Sequence, residues 1–409
     1  MKLLHVHFIA LGCAALPQIT EANTFSKTAG EWALKEIEIP VAVNSSVPTD
    51  DFTLTDTEIT VSDVAAYDAT INDPIPEFQS GQVLLLGPAL QEIGFLPNGA
   101  NMASTFFLAE QNSVLAHIFS DATSHILAVA VKEPNSIQLA ELEGTWVSHF
   151  IEVPRTVIGG QLSLPFDTAA ESVAVDASGG AGGAGTFSIV DGNRVNFLSE
   201  GENELFVANE AKDVLMTSNT FTEGLSLAIL TRSPDSLTIE ELAGTWQVLS
   251  ISVPNVTDFL GQNANNSDFE GESGEIVIND QGEIQGPDPD IITINPDNTV
   301  TFTDVDNFDA TFSINASKDV MVASFFESAQ ITFQIALRLK EAIINRAPTL
   351  VMKAQPDGSL AVEALGSGAL ELLKSTDLKN WELIPVEVDG PFQREIDPNP
   401  GTVFYQSIQ

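Results

Sequence analysis

The sequence predicts an all-β chain: three tandem copies of an eight-stranded meander that closes into a barrel, then a small C-terminal β-module. Three observations carry this. A Gly-x-Trp is followed by a Pro eight residues after the Trp in Gly30-Glu31-Trp32 with Pro40, Gly144-Thr145-Trp146 with Pro154, and Gly244-Thr245-Trp246 with Pro254. The back half repeats as strictly, with 18 residues from Val114, Val214 and Val320 to Lys132, Arg232 and Arg338. Between those positions apolar residues alternate with smaller or more polar ones, as in Leu225, Leu227 and Ile229 or Ile331, Phe333 and Ile335, which is strand patterning. Self-similarity at a period of roughly 100 residues marks an array of one unit. The organisation reads as an export signal at 1–22, β repeats at 23–135, 136–235 and 236–345, and a C-terminal module at 346–409.

The N-terminus has the parts of an export signal. Lys2 supplies the positive start, Leu3 to Leu16 is a short apolar run, and Thr20-Glu21-Ala22 is a small-residue cleavage site. No later stretch reaches about 18 uninterrupted apolar residues, so no transmembrane helix is expected. The single cysteine, Cys13, lies inside the signal, and the mature chain would carry no disulfide. Ala10-Leu11-Gly12-Cys13 resembles a lipoprotein box only loosely, with Ala where Leu is expected, so a lipid anchor at Cys13 is not the favoured reading.

Within the repeats, turn chemistry separates the strands. Phe187 to Phe197 aligns with Ile292 to Phe302 as a hairpin tipped by Asp191-Gly192 in one copy and Pro296-Asp297-Asn298 in the other. Pro97-Asn98-Gly99 holds the same place in the first repeat. The third repeat is the clearest, with eight strands expected near 245–253, 274–279, 283–285, 291–294, 299–303, 309–314, 319–325 and 330–338. A sequential meander with one apolar face hides its edges best by closing, and eight strands make a barrel just wide enough for side chains or one small ligand. An open curved sheet and a two-sheet sandwich are the alternatives. Short helical turns at 136–142 and 236–242 precede two of the Trp strands, with Ser136 and Ser236 as candidate caps. Gly179 to Gly185 reads as a flexible low-complexity loop rather than a phosphate cradle.

The charge excludes some partners. Against 57 Asp and Glu the chain has 16 Lys and Arg, a net charge of −41, with neither Lys nor Arg from Glu36 to Val131 or from Ser233 to Ser317. Such a surface repels nucleic acid and anionic membranes and favours solubility.

Leu142-Glu143-Gly144-Thr145-Trp146 and Leu242-Ala243-Gly244-Thr245-Trp246, each after a short helix and each opening a meander, resemble the start of lipocalin-like (calycin) barrels. The resemblance implies that each Trp looks into the closed barrel end and that a cation from the last strand packs over it. The pairs would be Trp32 with Lys132, Trp146 with Arg232 and Trp246 with Arg338, held by cation–π attraction. It also implies that the acidic stretch from Asn255 to Ser273 is a lid loop at a barrel mouth. Ser375-Thr376-Asp377-Leu378-Lys379-Asn380-Trp381 with Phe404-Tyr405 resembles a short C-terminal β-module of bacterial secreted proteins.

Residues with catalytic chemistry are sparse. Beyond the signal the histidines are His117, His125 and His149; a hairpin could bring the first two together. Glu36 and Glu38 share a strand face with Trp32, and Glu152 shares the face of Trp146. The opposite face, with Ile37, Ile39, Ile251 and Val253, is the more apolar, so the acids are expected to face solvent. Asp288, Asp290, Asp304, Asp306 and Asp309 offer hard oxygen ligands at close spacing, a weak calcium signal without the EF-hand Gly and Glu. No other cofactor is implied. The expected function is that of a secreted or cell-surface non-enzymatic repeat protein in structural or adhesive interaction with a surface component. Binding of a small lipophilic ligand inside the barrels is the alternative, and a carboxylate-dependent hydrolase using Glu36, Glu38 and His117 is the third.

Overall fold

The computed structural model describes residues 28–41, 52–62, 66–71, 80–86, 92–97, 104–155, 157–158, 161–199, 202–255, 269–284, 291–304, 308–326 and 330–339, and six strands within 349–408. The expected signal at 1–22, Cys13 within it, and most of the expected lid loop lie outside the described residues.

The chain is all-β, as its periodicity predicts. In the first repeat β1 (Gly30–Pro40), β2 (Thr53–Val61), β3 (Ala66–Ile71), β4 (Ser80–Leu86), β5 (Glu92–Pro97), β6 (Ser104–Leu108), β7 (Val114–Ser120) and β8 (Ser124–Lys132) form a closed barrel in sequential order. The second repeat contains β9 (Gly144–Pro154), a two-stranded pair of β10 (Val157–Ile158) and β11 (Gln161–Leu162), and β12 (Asp167–Val175), β13 (Thr186–Val190), β14 (Arg194–Ser199), β15 (Glu202–Ala208), β16 (Val214–Thr220) and β17 (Gly224–Arg232). The third contains β18 (Gly244–Pro254), β19 (Glu270–Ile278), β20 (Ile291–Ile294), β21 (Val300–Thr303), β22 (Asp309–Ile314), β23 (Val320–Phe326) and β24 (Gln330–Arg338).

Repeats two and three are curled seven-stranded sheets, in the orders β12-β9-β17-β16-β15-β14-β13 and β19-β18-β24-β23-β22-β21-β20, which corrects the count of eight. The strand expected at 283–285 is reduced to two isolated bridges, Ile278 with Ile284 and Glu283 with Ile291, which still link the sheet's two edges. In the second repeat the Gly-rich run takes that place. Gly180 bridges Thr186 and Phe187 N–H donates to Gly179 O (2.7 Å), so the start of the run is held against the sheet, while Gly182 to Ala184 are exposed. A Cβ at Gly185 would lie 2.4 Å from Leu198 O and within 2.8 Å of the Phe197 ring, which explains the glycine there.

Each Trp strand is buried on both faces. Trp32, Trp146 and Trp246 belong to three separate inner cores, one per repeat. The alternating residues Ile37 and Ile39, Ile151 and Val153, Leu249, Ile251 and Val253 meet in one further core that all three repeats share. Fully burying one such aliphatic side chain stabilises a fold by about 1.5–3 kcal/mol, so the shared core is a large part of what holds the repeats together. In this core Phe52, Phe166 and Phe269, each just before the second long strand of its repeat, form a triangle with ring centroids 5.7, 6.3 and 5.9 Å apart.

A cycle of polar contacts joins the turns that precede β7, β16 and β23. Asn209 Nδ2 donates to Ser113 Oγ (3.1 Å), linking the second repeat to the first. Asp213 Oδ2 accepts from Ser317 N–H (2.8 Å) and Ser317 Oγ (2.5 Å), linking it to the third. Asp319 Oδ2 accepts from Gln111 N–H (2.9 Å), which returns to the first. The three repeats therefore interlock in a ring, and they form one compact unit.

The C-terminal residues belong to a second unit. There β25 (Thr349–Ala354), β26 (Leu360–Leu365), β27 (Glu371–Ser375), β28 (Glu382–Ile384), β29 (Phe392–Ile396) and β30 (Phe404–Ile408) form two three-stranded sheets, β25-β26-β29 and β28-β27-β30. Ser375 and Phe404, from the two motifs singled out in the sequence, are register partners, while Trp381 lies outside the described residues.

Candidate functional site

The barrel floors come first, because they fix where an opening can be. Each Trp indole N–H donates to the carbonyl four residues earlier: Trp32 to Thr28 (2.8 Å), Trp146 to Leu142 (2.8 Å), Trp246 to Leu242 (2.9 Å). In two repeats that carbonyl belongs to a 3-10 turn, Leu139–Leu142 or Ile239–Leu242. These turns start later than 136 and 236, and neither Ser136 nor Ser236 caps them. Instead Glu141 and Glu241 reach back to the N–H groups of Gln138 (2.8 Å) and Thr238 (2.9 Å).

Lys132, Arg232 and Arg338 are the register partners of Trp32, Trp146 and Trp246. The two arginines reach backbone carbonyls. Arg232 Nη1 donates to Glu141 O (2.6 Å), and Arg338 donates to Glu241 O (3.0 Å) and Ala243 O (2.5 Å). The cation stems cross the glycine of each Gly-x-Trp: a Cβ on Gly144, at φ +141°, would sit 3.2 Å from Arg232 Cδ. The glycine is thus what lets the cation reach the carbonyls at the end of the turn. Lys132 and Arg338 also pair with Glu210 (2.9 Å) and Glu110 (3.5 Å) of neighbouring repeats.

Above the floor the inner face of each Trp strand climbs in steps of two. The first step is Leu34, Ser148 or Val248; the next is Glu36, Phe150 or Ser250; the last is Glu38, Glu152 or Ser252. Leu34 belongs to the inner core of the first repeat and Val248 packs against that of the third. Ser148, flanked in register by Leu230 and Glu171, leaves the second repeat hollow. The result is a cavity of ≈ 330 Å³ on the concave side of this sheet. Phe150, Phe187, Phe197 and Phe206 wall it, with the Phe187 and Phe197 rings 4.7 Å apart.

Carboxylates line the same cavity. Glu152, Glu171 and Glu204 all face it. Burial, and after it the charge of the register partner Asp167, push the Glu152 carboxyl above its ordinary range. Asn219 Nδ2 donates to Glu204 Oε1 (2.6 Å). Thr217, register partner of the cavity residue Ala228, is 1% exposed and its hydroxyl has no hydrogen-bond partner. No imidazole or thiol lines the cavity among the described residues.

The acids of the first repeat turn inward, correcting the expectation that they face solvent. Glu36 shares the inner face of Trp32 and Leu34, and burial, aided by Glu38, raises its carboxyl to about 7. The reason is that the apolar Ile face is not the barrel's inside but the seam between repeats, which leaves the other face for the interior. Glu38 accepts from Thr53 Oγ1 (2.8 Å). His117 lies on the same row as Glu36 with Ala128 between them, so it also faces inward; burial lowers its imidazole, opposed by a hydrogen bond with the Thr105 backbone.

His125 does not join His117. It pairs with Ser120 on the opposite face, where Ser120 Oγ donates to Gly271 O of the third repeat (3.1 Å). His149 lies between the second and third repeats, its Nδ1 3.1 Å from Ser324 Oγ and its Nε2 without a partner. Burial takes its imidazole down to about 4.

The acidic run does not gather for calcium among the described residues. Asp304 Oδ1 accepts from Phe308 N–H (2.9 Å) and Asp309 Oδ1 from Thr303 Oγ1 (2.6 Å), both within a turn. Asp288, Asp290 and Asp306 lie outside the described residues. No group of three metal-ligating side chains forms among the described residues. A wider polar groove of ≈ 810 Å³ near Arg232 and Lys318 mixes both signs of charge, and Lys318 is already paired with Glu241. No described helix is long and apolar enough to cross a membrane.

The fold and site define an all-β repeat protein with a cavity on the concave side of its second repeat. No family model and no curated protein matches the sequence. Among solved structures, the chain is similar to transferrin binding protein B of Neisseria meningitidis serogroup B at 11% identity, covering 76% of this chain and 77% of that one, with a TM-score of 0.24. A transferrin binding protein B mutant from Haemophilus parasuis aligns at 8% identity over 76% and 75%, with a TM-score of 0.23. A family 43 glycoside hydrolase from Bacillus licheniformis aligns at 12% identity over 73% and 68%, with a TM-score of 0.20. Superpositions this loose transfer neither fold detail nor function to this chain.

Proposed function

We propose that the chain is an exported, non-enzymatic binding protein whose ligand occupies the inside of the second repeat. The observation that carries this is the small residue Ser148 where the other repeats have Leu34 and Val248, and the ≈ 330 Å³ cavity beside it. That volume lies within the range of small-molecule sites, and an aromatic wall with a few polar groups is their usual lining. The interlocked repeats favour this reading over a spacer of independent beads, because a shared core supplies a rigid wall for the cavity.

Titration of the full chain with the neutral fluorescent probe N-phenyl-1-naphthylamine tests the proposal. Saturable binding at one site per chain, lost in Ser148→Leu with the melting transition retained, is the expected result. Absence of saturable binding, or undiminished binding in Ser148→Leu, overturns it.

A further inference from the structure

We infer that the second-repeat cavity is selective for an amphipathic organic cation, an amine or quaternary ammonium on an apolar body about the length of a medium alkyl chain. This rests on the reading of the cavity as a ligand site. The apolar depth is set by Phe150, Phe187 and Phe206, which would surround a hydrocarbon or ring. The charged groups are of one sign: Glu152, Glu171 and Glu204 line the cavity beside the neutral hydroxyls of Ser148, Ser172 and Ser226, and Asp167 stands beside Glu152 in register. No Lys or Arg lines the cavity among the described residues.

Two features separate this from a solvated acidic face. Glu152 is on the inner row that begins at Trp146, two steps above Ser148, so it leans into the hollow rather than away from it. Aromatic faces and carboxylates together attract a cation more than either does alone, since the ring quadrupole adds to the Coulomb term where water is scarce. The other repeats do not reproduce the set. The first carries Leu34 and Glu36 at the depths where the second carries Ser148 and Phe150. The third ends its row in Ser250 and Ser252, with Ser252 hydrogen-bonded to Thr332 (3.0 Å).

The test is displacement of N-phenyl-1-naphthylamine from the full chain by octyltrimethylammonium, octanol and octanoate. The cation is expected to displace at about tenfold lower concentration than the alcohol, with the carboxylate weakest. Glu152→Gln should narrow the gap between cation and alcohol several-fold, to about a third of its size or less, while leaving octanol unchanged. Ser148→Leu, with Ser148→Val as the milder step, should abolish displacement by all three. Because these two variants keep the net charge, any cation binding they retain measures attraction to the acidic surface and is subtracted. If octanol or octanoate competes as well as the cation, and Ser148→Leu still abolishes binding, the cation inference fails and the site stands. If the probe never binds saturably, or Ser148→Leu and Ser148→Val bind it unchanged, the site itself fails.

Discussion

Asp213 of the second repeat receives two hydrogen bonds from Ser317 of the third, one from its backbone N–H (2.8 Å) and one from its hydroxyl (2.5 Å). Asp213 is 1% exposed, so removing its carboxylate strands buried donors, including Asn315 Nδ2 (3.2 Å). Asp213→Ala is expected to cost about 2–4 kcal/mol in urea unfolding, and Ser317→Ala about 1 kcal/mol. The double variant should cost less than the sum, since the two changes remove the same contact. Additive effects would mean that the contact contributes nothing of its own.

The aromatic triangle predicts cooperation. Phe166 touches Phe52 and Phe269 from the other two repeats. Phe166→Ala should destabilise by about 3–5 kcal/mol, and it should lower a single transition that all three repeats share. Hydrogen exchange that releases the second repeat while the first and third stay protected would contradict the shared core.

Glu36 makes stability depend on pH. Its folded carboxyl, at about 7, lies above the ordinary 4.5, so the fold favours the neutral form. That contribution is complete below 4.5 and is lost as pH rises through 7. Glu36→Gln should therefore match the parent near pH 4 and exceed it near pH 8 by about 1–3 kcal/mol, an upper range given the partial exposure of the site. Denaturant midpoints at the two pH values read this directly. An advantage at pH 4 that vanishes at pH 8 would reverse the sign and refute it.

His149 works in the other direction. Its imidazole, taken down to about 4 by burial, stays neutral in the fold, and the stability this implies is present above 6.5 and lost as pH falls through 4. Proton NMR should show one histidine that does not titrate above pH 5, and that resonance should vanish in His149→Phe. A titration midpoint near 6.5 would place the ring in water.

Gly144 is expected to resist substitution. Its φ is +141°, and Arg232 Cδ lies 3.2 Å from the point a Cβ would occupy. Gly144→Ala is therefore strained, at a cost of about 1–3 kcal/mol by thermal melting. Trimming Arg232 to Ala in the same chain should recover only the steric part. Full recovery would show that the backbone angle carries no strain.

Much of the architecture was legible because the strands repeat. Gly-x-Trp, the closing cation and the alternating apolar runs locate the sheets and their order. What periodicity could not show is which side of a strand is inside. Trp32 and Ile37 lie on opposite faces and both are buried, because a strand between a barrel interior and a neighbouring repeat has no solvent face. Alternation alone therefore turns the acids outward. Phe52 and Phe166 each stand 20 residues after their Trp, but Phe269 stands 23 after Trp246, so the spacing pairs two of the three and misses the triangle. The cavity was hidden for the opposite reason. Ser148 looks like an ordinary polar alternation until Leu34 and Val248 are seen to stand at the same depth. The Asn-Ser, Lys-Asp and Lys-Asp pairs before Val114, Val214 and Val320 were visible as a repeat, but their contacts cross between copies, which a one-copy pattern cannot reveal.

The cycle of turns fixes a copy number. The second repeat holds the third through Asp213, the third holds the first through Asp319, and the second reaches back to the first through Asn209. A solenoid grows by adding a unit at either end, whereas this arrangement has no end to add to. Duplicating one repeat within the gene would leave a fourth copy without a place in the ring, so the lineage of this fold can vary its loops and the lining of its second repeat far more freely than its count of three.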